Sequence, residues 1–212
     1  MLTQLDIPKR PGQSIAMDFL NIQCQSIDPV THLMCDSLMV INCRQAKLAV
    51  VIPTQKTITA KDTAQLFIHH WYRRFGIPDE IVSDRDPKFI SEYWTHFTKE
   101  LGIVQKLSSS YHPQTDGSTE RINRSILQML RAELIRKPHK EWANKIPEIE
   151  FNYNARHHDS IGMAPFQAMY GFIPSFGEYQ GWNKRQSITD RLDQTMTTTK
   201  RKRAQQETQY NK

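Results

Sequence analysis

The sequence predicts an α/β domain, a mixed sheet of five strands with helices on both faces. Three observations carry that prediction. Three strand-like apolar segments follow one another early, joined by short links with no helical pattern between them. Two further strand-like segments then alternate with stretches whose apolar residues recur at helical spacing, as parallel crossover units do. Gly and Pro punctuate the ends of these segments. A length of 212 residues suits one compact domain with an extension.

The elements follow in order. Residues 1–13 contain Pro8 and Pro11 and no period, and read as a linker. In Ser14–Ile22, Ile15, Met17 and Phe19 fall on one side and Asp18 on the other, the alternation of a strand. Leu38–Ile41 and Leu48–Ile52 are two more strands, the second ended by Pro53. Thr59-Ala-Lys-Asp62 has the form of a capping box, and the helix after it places Ala64, Phe67, Trp71 and Phe75 on one face until Gly76 and Pro78. Glu80–Ser83 is a short strand running into Asp84. Ser91 caps a helix carrying Trp94, Phe97 and Leu101, with Gly102 as its stop, and Val104–Leu107 is the fifth strand. Ser108–Gly117 is a polar loop, and Glu120 lies just inside the next helix, whose stripe is Ile122, Ile126, Met129, Leu130 and Leu134. A helical stretch over Trp142–Arg156 is kinked or split by Pro147, and a short last helix runs from Pro165 to Gly171.

Composition excludes several classes. No stretch approaches the roughly 18 apolar residues of a membrane span, and the first residues lack the apolar core of a signal peptide. A soluble intracellular protein with no membrane partner is expected. The three cysteines, Cys24, Cys35 and Cys43, are an odd number with no CxxC, which argues against a disulfide framework or a cysteine zinc knuckle. Net charge is +6, of which Trp182–Lys212 carries +5. A cationic tail on a near-neutral body suggests a polyanion, nucleic acid first, with a solvated terminus as the plain alternative. Lys200-Arg-Lys-Arg203 also fits a nuclear import signal.

Three acids stand out on this scheme. Asp18 lies within the first strand, Asp84 just past the fourth and Glu120 in the first turn of the helix after the fifth. Strand ends and helix starts are rigid mounts, and open sheets collect ligands near the carboxyl ends of their strands. Clustered carboxylates repel, so they need a cation, and hard oxygen ligands without Cys or His select Mg²⁺ or Mn²⁺. Two such ions activate a water or hydroxyl and stabilise the leaving oxygen of a phosphoryl transfer. Singly, each acid has a plain alternative: a solvent-facing strand residue, a turn cap, a helix-dipole partner. The 35 residues between Asp84 and Glu120, and the motifs around both, favour the cluster.

The chain resembles the catalytic core of a retroviral-type integrase from a Ty3/gypsy LTR retrotransposon. The resemblance rests on Ser14-Ile-Ala-Met-Asp-Phe19, on Phe75-Gly-Ile-Pro-Asp-Glu-Ile-Val-Ser-Asp-Arg-Asp-Pro-Lys-Phe89 and on Tyr111-His-Pro-Gln-Thr-Asp-Gly-Ser-Thr-Glu-Arg-Ile-Asn-Arg124. Trp142, Phe151-Asn-Tyr-Asn154, Ala164-Pro-Phe166, Tyr170-Gly171 and Pro174 add to it. It implies an RNase H-like fold over residues 14–176 and a D,D-35-E triad of Asp18, Asp84 and Glu120 holding two Mg²⁺ or Mn²⁺ ions. It also implies a nuclear polynucleotidyl transferase with endonuclease-type chemistry: 3′-end processing of donor DNA, then strand transfer into target DNA. Homo-oligomers that bridge DNA ends, and other polyprotein-derived retroelement proteins, are the implied partners. Residues 177–212 are expected as a basic tail, flexible or helical.

Around the triad, Asn123 and Arg124 share the face of Glu120: Arg124 suits a DNA phosphate and Asn123 suits donor DNA or the orientation of a carboxylate. Gln114 and Gly117 lie in the loop that meets the donor end in the family, Gly117 for the bend. Arg85 and Lys88 flank Asp84 and are placed to steer the DNA backbone. Asn123, Arg124, Arg85 and Lys88 also read as ordinary polar surface. His112 is expected to be structural, since two-metal chemistry needs no general base, and His157-His158 to be surface. Trp71, Trp94 and Phe97 are expected in the core. Family members carry an amino-terminal zinc module and a carboxy-terminal DNA- or chromatin-binding module, so a polyprotein fragment, truncated element or derived gene is expected. Two other readings remain open: a catalytically silent integrase-derived DNA-binding or interaction protein, and a nuclease that only hydrolyses.

Overall fold

A computed structural model describes residues 8–108, 113–136 and 139–175. The basic tail, His112 and most of the expected linker lie outside the described residues, as do the side chains of residues 113–118. β1 (Ser14–Ile27), β2 (Met34–Cys43) and β3 (Ala49–Thr54) lead to α1 (Ala60–Phe67), a π-helical turn (Ile68–Tyr72) and α2 (Arg73–Phe75). β4 (Glu80–Ser83), α3 (Pro87–Ile90), α4 (Glu92–Glu100) and β5 (Val104–Leu107) follow. Then come α5 (Pro113–Arg136), a 3-10 segment (His139–Lys145), α6 (Ile146–Ala155) and α7 (Pro165–Tyr170). The strands stand in the order β3-β2-β1-β4-β5. β1, β2 and β3 form the expected antiparallel meander, and β1, β4 and β5 run parallel. Among the described residues no helix is long and apolar enough to cross a membrane.

The local signals act as their chemistry dictates. Thr59 and Asp62 form the reciprocal capping box of α1. Ser91 Oγ accepts from the Trp94 amide at 3.2 Å and starts α4. Gly76 and Gly102 leave their helices at φ of 77° and 68°, a region that penalises a side chain.

Several boundaries differ from the sequence reading, among them that of β2, which spans Met34–Cys43 rather than Leu38–Ile41. β1 continues to Ile27, because its second half pairs with β2 in a ribbon beyond a register shift between Asn21 and Ser26. β3 continues through Pro53 to Thr54; at a sheet edge the missing N–H costs no ladder bond. α3 was not anticipated, being one turn capped by Asp86, whose side chain accepts from the Lys88 amide at 2.9 Å. The loop expected up to Gly117 is helical from Pro113 onward. Proline brings the φ of a first turn ready-made, and a helix carries one interior glycine at a cost of about 1 kcal/mol.

Helices cover both faces of the sheet. On one face Ile15, Met17, Met39, Ile41, Val50 and Ile52 pack with Ala64, Phe67, Trp71, Phe89 and Trp94. On the other, Leu38, Val40, Ala49 and Val51 pack with Ile122, Ile126 and Leu130 of α5, Trp142, and Ile146, Ile149 and Tyr153 of α6. This double cover explains the unbroken apolar run Leu38–Ile41: alternate residues feed two separate cores. Trp71 and Trp94 are fully buried, as expected of core aromatics. Fully buried side chains such as Phe67 and Phe89 each contribute roughly 1.5–3 kcal/mol.

The exposed edge of β3 is met by side chains of α6. Asn154 Oδ1 accepts from the Ala49 amide at 2.9 Å, while its Nδ2 donates to the Ala49 carbonyl at 2.7 Å. One turn earlier, Glu150 Oε2 accepts from the Val51 amide at 2.7 Å. A single helix face thus satisfies alternate backbone groups of a strand that has a neighbour on only one side.

Candidate functional site

The parallel pairing of β1 with β4 places the first two acids. Its register runs Ile15 to Ile81, Ala16 to Val82 and Met17 to Ser83. Asp18 and Asp84 are the next residues on the two chains, on neighbouring strand paths about 4.8 Å apart. Asp18 is half-buried, and its Oδ1 accepts from the Phe19 amide at 2.8 Å. Asp84 is exposed, and its Oδ1 accepts from the Asp86 amide at 3.0 Å, which fixes the turn leading into α3.

The third acid arrives on α5. Asn123 of this helix is 6% exposed, and its Nδ2 donates to Asp18 Oδ2 at 2.6 Å. Glu120 is exposed one turn before Asn123 on the same helix face. The bond between Asn123 and Asp18 therefore docks this turn of α5 against the strand position that Asp84 adjoins. Among the described residues no three His, Cys, Asp or Glu side chains stand close enough to form a ready-made metal cage. The donor chemistry nevertheless suits a hard divalent cation. The acids supply carboxylate oxygens only, and Asn123 Oδ1 beside them is a buried amide oxygen with no hydrogen-bond partner among the described residues.

A groove of about 360 Å³ opens here, lined by Leu20 of β1 and by Glu120, Asn123, Arg124, Leu127 and Arg131 of α5. Arg124 and Arg131 are exposed. Leu20 and Arg131 went unnamed in the sequence reading, although both are legible by period. Leu20 lies two residues after Asp18 on the same strand face, and Arg131 lies three turns after Glu120 on the same helix face.

The other expected residues divide. Arg85 is exposed beside Asp84. Lys88 is engaged: its ammonium lies 2.9 Å from Asp86 Oδ1 and 4.4 Å from the centre of the Phe19 ring, with 17% of its side chain exposed. It thereby braces the start of α3 against β1. Gln114 and Gly117 belong to the first turns of α5, and their side chains lie outside the described residues. His157 is at the surface, near Asp159. His158, expected at the surface as well, is half-buried instead: its Nε2 lies 3.2 Å from the Tyr153 carbonyl and its ring packs on Tyr153. Burial pulls its basicity below that of an ordinary histidine.

The opposite ends of the parallel strands show a contrasting, self-satisfied cluster. Arg44 Nη1 and Ser14 Oγ both donate to Glu80 Oε1, the first at 2.7 Å, and Lys106 pairs with Oε2. Burial pushes the Glu80 carboxyl up, but the hydrogen bonds from Lys106 and Ser14 and the charges of Lys106 and Arg44 outweigh it. The group is held below the usual carboxylate range.

Known proteins share these features. No protein-family model matches the chain. The Tf2-3 and Tf2-4 transposon polyproteins of Schizosaccharomyces pombe are each 32% identical to it over 188 residues, 85% of this chain and 14% of theirs. The chain thus spans about one seventh of the length of the curated relatives it matches. Among solved structures, a chain of the simian T-cell lymphotropic virus intasome, in complex with the PP2A regulatory subunit B56 gamma, superposes with a TM-score of 0.65. It is 15% identical, covering 86% of this chain and 63% of that one. The HTLV-2 integrase catalytic core domain in complex with magnesium gives 0.61 at 19% identity, covering 76% of this chain and 99% of that one. The chain is thus similar in sequence to a segment of Ty3/gypsy-type retrotransposon polyproteins, and it has the RNase H-like fold of integrase catalytic cores.

Proposed function

We propose that this chain is the catalytic core of a metal-dependent DNA strand transferase, which trims the 3′ end of a retroelement DNA and joins it to target DNA. The observation that carries the reading is one piece of geometry. The register of β1 on β4 sets Asp18 beside Asp84, and the Asn123–Asp18 hydrogen bond brings in the helical turn of Glu120. Bound by Asp18, Asp84 and Glu120, magnesium or manganese would supply the Lewis acid that activates a water or a DNA 3′-hydroxyl and steadies the leaving oxygen.

The remaining work falls to the chain itself. Asn123 fixes the Asp18 carboxylate by its amide, and the turn from Asp84 to Asp86 fixes the second carboxylate. Glu120 stands exposed on the rim of the groove, where a DNA strand has access to it. Arg124 of the groove and Arg85 beside Asp84 are exposed cations and suit phosphate oxygens. Homo-oligomers that bridge two DNA ends, and a nuclear site of action served by Lys200–Arg203, belong to the same proposal.

The test is incubation of the chain with a branched DNA oligonucleotide in Mn²⁺ or Mg²⁺, followed by separation of cut and joined strands. Breakage or joining is expected from the wild type, and loss of both from Glu120→Gln, a near-isosteric change at an exposed position. A Glu120→Gln chain as active as the wild type would refute the site. DNA binding without any strand breakage in either metal would favour a catalytically silent, integrase-derived binding protein.

A further inference from the structure

We infer that Lys88 is a positioning residue: it clamps together the two residues whose backbone amides hold Asp18 and Asp84, and so sets the gap between those carboxylates. This rests on the functional reading above and deepens it, from the acids to the group that keeps them in register. Each strand-end acid is oriented by one amide. The Phe19 N–H donates to Asp18 Oδ1 at 2.8 Å, and the Asp86 N–H donates to Asp84 Oδ1 at 3.0 Å. These donors stand on different chain paths, β1 and the turn after β4. The β1–β4 ladder pairs no residue beyond Met17 and Ser83, one position short of both acids.

Lys88 ties the two paths beyond that point. Its Nζ lies 2.9 Å from Asp86 Oδ1 and 3.0 Å from Oδ2, a two-pronged ion pair. The same ammonium sits 4.4 Å from the centre of the Phe19 ring, within cation–π range. Its neighbour Phe89 is fully buried and stacks on that ring at 5.3 Å. One cation thus touches the side chains of both amide donors, and the ring beside it pins the turn to β1. With 17% of its side chain exposed, Lys88 is poorly placed to meet a DNA phosphate. Phe19 faces the core it shares with Phe89 and Trp94, whereas Asp18 meets Asn123 on the other face of the sheet. The clamp therefore acts from behind the carboxylates, away from the α5 groove. Carboxylates held in this way keep their spacing when a cation is absent, and binding then costs less reorganisation.

Metal uptake and DNA binding, measured separately, provide the test. Mn²⁺ binding by the full chain is followed by isothermal titration calorimetry without DNA, and urea unfolding checks that each variant is folded. Lys88→Met keeps the stem and removes the charge. It should weaken Mn²⁺ binding about tenfold, the low end of what losing an outer-shell partner costs. Lys88→Arg keeps the cation and should bind as the wild type does. Asp86→Asn still caps α3 but loses the pairing charge, so it should weaken Mn²⁺ binding too, and it serves alone if Lys88→Met does not fold. Combining Asp86→Asn with Lys88→Met should cost little more than either, because the two act as one device. Affinity of Lys88→Met for a labelled branched DNA oligonucleotide, without divalent metal, should keep the wild-type salt dependence. Unaltered Mn²⁺ binding in Lys88→Met and Asp86→Asn would overturn the clamp while leaving the carboxylate site standing. A slope of log affinity against log salt reduced by about 0.7–0.9, with Mn²⁺ binding unchanged, would instead make Lys88 a phosphate contact. A wild type that takes up no Mn²⁺ would sink the functional reading itself, and the clamp with it.

Discussion

Replacing Glu150 by glutamine should stabilise this protein, and only at neutral to alkaline pH. Burial between α6 and β3 pushes the Glu150 carboxyl up to about 7 from an ordinary 4.5, against the Val51 amide and the Arg74 charge, which both favour the anion. Arg74 is too distant to compensate, its Nη1 lying 4.0 Å from Glu150 Oε1 with 42% of its side chain exposed. Because the folded chain holds this proton more tightly than the unfolded chain, folding is favoured most at low pH, and that advantage is lost as pH rises through 7. A shift from 4.5 to about 7 corresponds to about 3 kcal/mol. With 24% of the Glu150 side chain still open to water, solvent screening reduces the expected effect to roughly 1–2 kcal/mol. Glutamine keeps an oxygen for the Val51 amide without the charge. Urea unfolding at pH 5 and pH 8 is the assay: the variant should match the wild type at pH 5 and exceed it by that margin at pH 8. A variant less stable than the wild type at pH 8, or an offset equal at both pH values, would refute the argument.

Two more predictions concern the same helix and the site. Asn154→Ala leaves the Ala49 N–H and C=O unpaired at a 1% exposed position, and should cost roughly 2–5 kcal/mol. Hydrogen exchange should show the Ala49 amide losing protection before the central strand β1 does, and an unchanged exchange pattern would contradict this. Asn123→Ala releases Asp18 while keeping all three carboxylates, so the Mn²⁺ concentration for half-maximal DNA cleavage should rise about 10- to 100-fold while the fold persists. An unaltered metal titration would remove Asn123 from any positioning role.

Much of this architecture was legible because its signals are local. The capping box at Thr59, the serine cap at Ser91 and the glycine stops at Gly76 and Gly102 each act within a turn of chain. Alternation in Ser14–Phe19 separates Asp18 from Ile15 and Met17, and Asp84 is legible as the residue just past the short strand Glu80–Ser83. Where reading failed, the cause was length or distance. α3 is too short to show a period. The end of β1 is a polar ribbon whose register depends on its partner strand. Gly117 and its polar neighbours signal a turn, whereas Pro113 and the apolar stripe beyond it set a helix. The contacts of Glu150 and Asn154 with β3 join residues 99 and 105 positions apart, and nothing local announces them. Arg131 carries a periodic signal, but it acquires meaning only when Leu20 closes the groove opposite it.

The hydrogen bonds from α6 to β3 have a consequence for how copies of this chain meet. A sheet grows by templating, each naked border inviting another strand. Here one border is sealed by carboxylate and amide groups that imitate a sixth strand without offering a seventh a place to dock. The opposite border is β5, four residues long and bearing Lys106, too brief and too charged to nucleate runaway stacking. Extension of the sheet from one copy into the next is thereby opposed at both borders.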